Sequence, residues 1–393
     1  MRIRFILAIL LICSATFSQI KILFDDTKAE QASNADWVIS NTTNPVQVPT
    51  PSQSGITGST TEDYWDGALS AWGVDCVKKG YYVETLPPGK SITYGSSTNA
   101  QDLSKYNAYV VCEPNTKFSS SEKTAIMNFV KNGGGLFMIS DHNGSDRNSD
   151  GYDSPAIWND FLTTNSVQAN PFGFSFDLVS ISQTSSNVTT VSNDSILHGP
   201  MGTCTKVMWS AGTTMTINKN VNSTVQGYVF TNGSSTSGTT NVMFATAKYG
   251  NGKVAAIGDS SPCDDGTGAS GESLYNGYTG DVGQEHRYLL MNATIWLATH
   301  KAKVSSAVNT PEESALKLFP NPVIGGKLNI RVDGSQVVSR IQLVDLTGKT
   351  LIDSQSQLMS IQSMNVSDLH SGVYLCRINS GNSIETRMIS IQN

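Results

Sequence analysis

Three runs of apolar residues in this chain of 393 end abruptly on carboxylates. Ile20 to Phe24 stops at Asp25 and Asp26. Leu136 to Ser140 stops at Asp141 and His142, followed by Asn143. Val254 to Gly258 stops at Asp259, followed by Ser260, Ser261, Asp264 and Asp265. In an open parallel sheet, ligands bind beyond the carboxyl ends of the strands. Strands of this kind therefore bring Asp25, Asp26, Asp141, His142 and Asp259 to one rim. Carboxylates that close repel one another, and need a cation, a shared proton or a bound polar ligand to stay together. The same aspartates also suit a purely structural task, capping strand-to-helix turns and helix N-termini. His142 is a general base or metal ligand in the first case and a hydrogen-bonded structural histidine in the second.

The segment after this elbow reads DHNGSDRNSDGYDS. Asp146, Asn148, Asp150 and Gly151 match the start of a calcium loop, with oxygen ligands at alternate positions and glycine for the tight turn; Tyr152 offers its carbonyl. The twelfth position holds Ile157 where an EF-hand has glutamate, and no helix–loop–helix frames the loop. Asp153, Asp160 or the rim carboxylates would complete the shell. A divalent cation, calcium by ligand type, is expected here; a loop of Asx turns is the alternative.

Ser260 stands in a Gly-Asp-Ser string that resembles one block of an esterase superfamily. There the block opens the domain and a DxxH motif closes it, whereas here it comes near the domain's end and Asp281 to His286 is wrongly spaced. Ser260 could pair with His142 or His286, and no GxSxG elbow is present. His198 precedes Gly199-Pro200 and reads as a turn residue. Tyr64, Trp65, Tyr152, Trp158, Tyr275 and Tyr278 collect near the expected rim. Such rings suit sugars, although Trp65 and Trp158 also fall at core spacing.

The elements that must position these residues follow from periodicity. Trp65, Leu69, Trp72 and Cys76 share one face of a helix expected over Thr61 to Lys79, stopped by Gly80. Tyr81 to Leu86 and Ala108 to Cys112 read as strands. Ser119 to Asn132 reads as a helix, with Ser120 or Ser121 at its cap and Glu122 in its first turn. Glu285 to Ala298 reads as a closing helix. The β-α-β-α-β order predicts an α/β fold, doubly wound, with a mostly parallel sheet covered on both faces. Residues 172–246, rich in Val, Thr and Ser with Asn-Gly and Gly-Ser turns, predict a β-rich insertion of antiparallel strands.

The string FVKNGGGLFMISDH, with DSILHGPMG and YGNGKVAAIGDSSPCDD later, resembles the class I glutamine-amidotransferase-like, flavodoxin-like fold. That family's thiol chemistry needs a cysteine at the elbow. Asp141 and His142 stand there instead, so glutamine hydrolysis is not expected.

The last fifth of the chain, residues 316–393, alternates apolar residues in Leu328–Val332, Ile341–Val344 and Val373–Ile378 between turns, which predicts a small C-terminal β-sandwich. Pro320-Asn321-Pro322, Asp345 to Gly348, and Leu369 with Ser371-Gly372-Val373-Tyr374 resemble the C-terminal sorting domain of the type IX secretion system of Bacteroidetes. That resemblance implies a partner, the secretion machinery, and export through the periplasm. Residues 1–18, basic at Arg2 and Arg4 and apolar from Phe5 to Ile12, read as a signal peptide. Residues 19–298 form the expected main domain and 299–315 a linker. No segment is long enough to span a bilayer.

The net charge is −6 and no basic stripe occurs, which argues against nucleic acid. Five cysteines follow the signal, with no CxxC spacing; one disulfide is possible and the sequence does not choose it. The expectation is a secreted hydrolase acting on an extracellular polymer, polysaccharide among the candidates, or its fragments. The alternative is a non-catalytic carbohydrate- or surface-binding module.

Overall fold

The computed structural model describes residues 19–33, 36–40, 53–190, 194–268, 275–299, 316–332, 338–345, 348–358, 361–380 and 383–392. The proposed signal peptide and nearly all of the proposed linker lie outside them. Two compact units divide between Ala302 and Lys303.

The first unit begins with β1 (Lys21–Asp25), α1 (Ser70–Lys78), β2 (Tyr82–Leu86), β3 (Ala108–Cys112), α2 (Ser120–Lys131), β4 (Gly135–Ile139) and α3 (Ser154–Thr164). Short strands follow: β5 (Phe174–Phe176), β6 (Ile181–Ser185), β7 (Asn187–Val188), β8 (His198–Gly199) and β9 (Gly202–Thr203). Then come β10 (Val207–Gly212), β11 (Met215–Ile217), β12 (Gln226–Phe230), β13 (Val242–Tyr249), β14 (Gly252–Ile257) and α4 (Glu285–Ala298).

The main sheet runs β2-β1-β3-β4-β14-β13-β11-β5, with β12 and β7 attached through β13. The first five strands are parallel. β13 turns back on β14 as an antiparallel hairpin, and β11 and β5 continue antiparallel. The sheet is therefore mixed, a correction to the mostly parallel sheet expected. The β-rich segment extends this sheet, because the apolar strand β13 pairs along β14 and leaves its own far edge for β11 and β12.

The pleat explains the two cores. Ile22 and Phe24, Val110 and Cys112, and Phe137 and Ile139 point to one face, beneath Trp72, Val74 and Cys76 of α1 and Leu289, Leu290 and Ala293 of α4. Leu23, Tyr109 and Val111, and Leu136 and Met138 point to the other, beneath Ile126, Phe129 and Val130 of α2 and Ile157, Trp158 and Phe161 of α3. Burying each large side chain contributes about 1.5–3 kcal/mol.

Ser119 and Glu122 form a reciprocal capping box at the start of α2. α1 begins nine residues later than its apolar spacing suggests. Gly67, in the left-handed region at φ +87°, breaks the segment where Ser40 and Asp66 form a bridge.

The second unit packs a three-stranded sheet, β15 (Leu316–Phe319), β17 (Lys327–Val332) and β20 (Ile361–Asn365), with a five-stranded one. The latter holds β16 (Val323–Ile324), β22 (Ser383–Gln392), β21 (Gly372–Ser380), β18 (Val338–Val344) and β19 (Thr350–Leu358). Leu328, Ile330, Ile341, Leu343, Cys376, Ile378 and Ile389 fill the core between them.

Candidate active site

β1, β3, β4 and β14 are parallel neighbours, so their carboxyl ends open on one edge. In this strand order the connection reverses direction between β1 and β3, the place where such sheets leave a crevice. Asp25 ends β1 and Asp26 follows it. Glu113 follows β3, Asp141 and His142 follow β4, and Asp259 and Ser260 follow β14. All of these but His142 are buried.

One group is built around Arg147. Its Nε donates to Glu113 Oε1 at 2.5 Å and its Nη2 to Asp141 Oδ2 at 3.0 Å, while the guanidinium lies 4.6 Å from the ring centroid of Trp37. Asp141 Oδ1 lies 3.1 Å from Nδ1 of His142. Ser260 Oγ donates to Glu113 Oε2 at 2.8 Å. Glu113 holds a left-handed backbone, φ +49°, which is costly for a residue with a Cβ and which these three-way contacts fix in place. Its carbonyl neighbour on β4, Ile139 O, accepts both the Glu113 N–H and the indole N–H of Trp158.

Burial pushes the Glu113 carboxyl well above the usual carboxylate range, Asp141 adds repulsion, and Arg147 opposes both. Asp259 is raised by burial and then by Asp141; it accepts N–H groups from Ser261 and Ser210, both at 2.8 Å. Gly258 allows the turn after β10 to approach this strand end, since a Cβ would collide with the Thr213 carbonyl oxygen. His142 is raised above the ordinary histidine value, chiefly by its hydrogen bond to Asp141; its side chain is 27% exposed.

A second group gathers at the end of β1. Burial and the charges of Asp25 and Asp36 push Asp26 up to about 8. Asp25 is also raised by burial and accepts the Thr27 hydroxyl at 3.0 Å. Burial raises Asp264 to about 7 and Asp265 to about 6, and Asp36 acts on both. Asp36 is thus near Asp26 and near the loop after β14. The carboxylates named from the sequence fall in these two groups; burial is the largest influence on Glu113 and Asp259 in the first and on Asp25 and Asp26 in the second, and Arg147 opposes it at Glu113.

The loop after the elbow is folded on itself. Asp146 accepts the N–H groups of Asp150 and Gly151, at 2.9 and 3.0 Å, and Asn148 Oδ1 also accepts from Asp150. Asp150 accepts from Tyr152 N at 3.0 Å. The Asn148 amide donates to the Asn115 carbonyl. Asp153 caps α3 through Ala156 N and also accepts Gly144 N. Asp160 is paired with Lys123. Among the described residues, no three of His, Cys, Asp and Glu are arranged to hold a metal ion.

Ser260 meets Glu113 rather than a histidine. His286 is buried, with Nδ1 at 2.8 Å from the Gly277 carbonyl and Nε2 accepting the Met208 N–H, an arrangement that requires a neutral ring. His198 pairs with Asp194. Of the six aromatics, Trp65, Trp158 and Tyr278 are in the core; Tyr64 and Tyr152 are exposed, and Lys117 covers the Tyr152 ring. All five described cysteines are free and buried.

Glu113, Asn115, Arg147 and Trp37 are not singled out by sequence. Glu113 carries the same signal as the aspartates that are, an acid directly after the apolar run AYVVC.

No protein with curated annotation matches this sequence. Solved structures with some likeness to it include the mmIFT52 N-terminal domain, at 12% identity and TM-score 0.43, covering 72% of this chain and 100% of that one. Cytoplasmic Protein STM3548 from Salmonella typhimurium has 14% identity and TM-score 0.38, covering 71% and 99%. A putative ThuA-like protein from Parabacteroides merdae has 13% identity and TM-score 0.34, covering 73% and 93%. These likenesses are too distant to carry an argument. Among the described residues no helix is long and apolar enough to cross a membrane. Residues 317–392 match the secretion system C-terminal sorting domain family, so the chain engages the type IX machinery and is exported to the cell surface or the extracellular space.

Proposed function

We propose that the first unit is an exported hydrolase acting on an extracellular polymer or its fragments, with Asp141 and His142 as the pair that activates water. The supporting observation is the chain of contacts Glu113–Arg147–Asp141–His142. It sets a partly exposed imidazole at the carboxyl edge of the sheet and fixes its Nδ1 on a carboxylate. A carboxylate on Nδ1 selects the tautomer whose Nε2 takes a proton in the neutral ring. Glu113 and Ser260 position this pair; Asp25, Asp26 and Asp259 supply the acidic rim.

The finer reading of the fold belongs to the same proposal. Strand order β2-β1-β3-β4-β14 supports an amidotransferase-like unit, and Asp141-His142 occupies the elbow where a thiol family would hold cysteine. A divalent cation is also part of it. In the Asp146–Asp153 loop, calcium would have to displace the backbone N–H groups that now hold Asp146, Asp150 and Asp153.

The alternative, a carbohydrate- or surface-binding module, calls for an open aromatic face and ordinary titrations at the rim. Burial of Trp65, Trp158 and Tyr278 and the raised Asp26, Glu113 and Asp259 favour the hydrolytic reading. The test is turnover of glycan, ester and phosphoester panels by the mature chain, compared with an Asp141→Asn, His142→Ala double variant. Activity lost in the variant supports the proposal, and activity unchanged removes it.

A further inference from the structure

Four buried acceptor oxygens beside the β1–β3 crevice have no hydrogen-bond donor. They are both carboxylate oxygens of Asp26, Oε1 of Glu30 and the carboxamide Oδ1 of Asn115. Asp26 is 1% exposed, and Glu30 and Asn115 are fully buried. The rest of each residue is anchored. Glu30 Oε2 accepts the Lys28 N–H at 2.7 Å. Asn115 donates its backbone N–H to the Lys28 carbonyl at 2.7 Å and its Nδ2 to the Glu113 carbonyl at 2.8 Å. That leaves its oxygen as the unused end of the amide.

Carboxyls predominate here, and Lys28 opposes them at Asp25. Asp25 and Asp36 act on Asp26, and Asp25 and Asp26 act on Glu30. Lys28, in the same loop, commits its ammonium to Glu122 at 2.7 Å. A buried polar group without a partner costs about 1–3 kcal/mol, more when charged, and folded proteins leave few such groups. Four such oxygens in the loops after the neighbouring strands β1 and β3 call for a positive partner.

We propose that Asp26, Glu30 and Asn115 form the site of a hard divalent cation. Every proposed donor is oxygen, the chemistry of calcium and magnesium. Two carboxylates and a carboxamide make three protein ligands, and water or loop carbonyls complete the shell. The cation replaces protons: the Asp26 and Glu30 carboxyls, both raised by burial, lose H⁺ to solvent as their carboxylates bind the ion. The site rests on the proposed acidic rim through Asp26, but Asp141 and His142 are not among its ligands, so loss of the ion and loss of the water-activating pair are read separately.

The test uses the full mature chain, stripped with chelator. Calcium and magnesium are titrated separately, with titration calorimetry in two buffers of different ionisation heat and thermal unfolding as readouts. One of the two ions is expected to raise the melting temperature and to release protons, with a Kd on the order of 10⁻⁴ M or tighter. Asp26→Asn is expected to weaken binding at least tenfold. It removes a buried acid and adds none, so the stripped variant remains folded by circular dichroism. Asp146→Asn with Asp150→Asn is expected to bind as the parent does. No heat and no thermal shift with either ion overturns the proposal. So does an equal response in Asp26→Asn, and so does binding lost only in the Asp146/Asp150 variant, which assigns the ion to that loop.

Discussion

Asp141 Oδ1 lies 3.1 Å from Nδ1 of His142, while the other oxygen of the same carboxylate is held at 3.0 Å by Arg147. One carboxylate is therefore shared between a half-buried guanidinium and a titrating ring. The hydrogen bond raises the His142 pKa above the ordinary histidine value. A raised histidine stabilises the fold fully below its unfolded pKa, and that contribution is lost as pH rises through the folded value. Catalysis runs the other way, since the base must be neutral. Activity is expected to rise with pH through a limb above the ordinary histidine pKa. Asp141→Asn is expected to shift the limb to lower pH and to cut kcat. A kcat/KM profile from pH 5 to 9 reads both.

Arg147 carries the second prediction. Its guanidinium joins Glu113, Asp141 and the Trp37 ring. Arg147→Ala leaves two buried carboxyls without their cation, which typically costs about 3–5 kcal/mol. Arg147→Lys keeps the charge and loses the planar fork. Denaturant unfolding is expected to rank them wild type, then Lys, then Ala. An alanine variant as stable as the parent would contradict this role for the guanidinium.

The β1 group sets a pH dependence of opposite character to a surface salt bridge. Asp26, Asp264 and Asp265 are raised by burial to about 8, 7 and 6, from an ordinary 3.8. The folded state then holds more protons than the unfolded state between about pH 4 and 8, so stability falls as pH rises through that window. Each of the three carboxyls therefore weakens the fold progressively as it ionises, Asp26 last. In chelator, Asp26→Asn is expected to flatten the upper part of the profile, measured as melting temperature against pH. A profile unchanged by Asp26→Asn would place the titration elsewhere.

Much of this arrangement is legible in the chain, for a specific reason. A buried parallel strand is an uninterrupted apolar run, so the first carboxylate after it marks the strand end; Asp25, Asp141 and Asp259 stand out that way. Glu113 obeys the same rule after Cys112, yet no motif around it draws the eye. Arg147 sits inside a string whose spacing suggests calcium, and a cation among aspartates is the sign that the string pairs charges internally. Asp153 fits a ligand position by spacing, although Asp-Ser-Pro followed by Ile157, Trp158, Phe161 and Leu162 is the cap and inner face of α3. The joining of β13, β11 and β5 to the parallel strands is not legible. Strand pairing between distant segments depends on edges and register that local patterning does not encode.

The sorting domain gives a prediction separate from any chemistry. Residues 317–392 match that family, and the chain divides into two compact units before them. Removing residues 316–393 is expected to leave a folded first unit that accumulates inside the cell envelope. Fractionation with an antibody to the first unit reads the location, and circular dichroism of the truncated protein reads the fold. Surface delivery without the tail would contradict its role as the export signal.

The central claim is that water is activated by the Asp141–His142 pair. Its most direct test is single-turnover hydrolysis by the Asp141→Asn, His142→Ala variant, on whichever glycan, ester or phosphoester substrate the wild-type chain cleaves. The account predicts a rate reduced at least a hundredfold, in line with the loss of a general base, in a variant that remains folded by circular dichroism at the assay temperature. A variant that cleaves at the parent's rate would contradict it, as would a wild-type chain inert toward all three substrate classes.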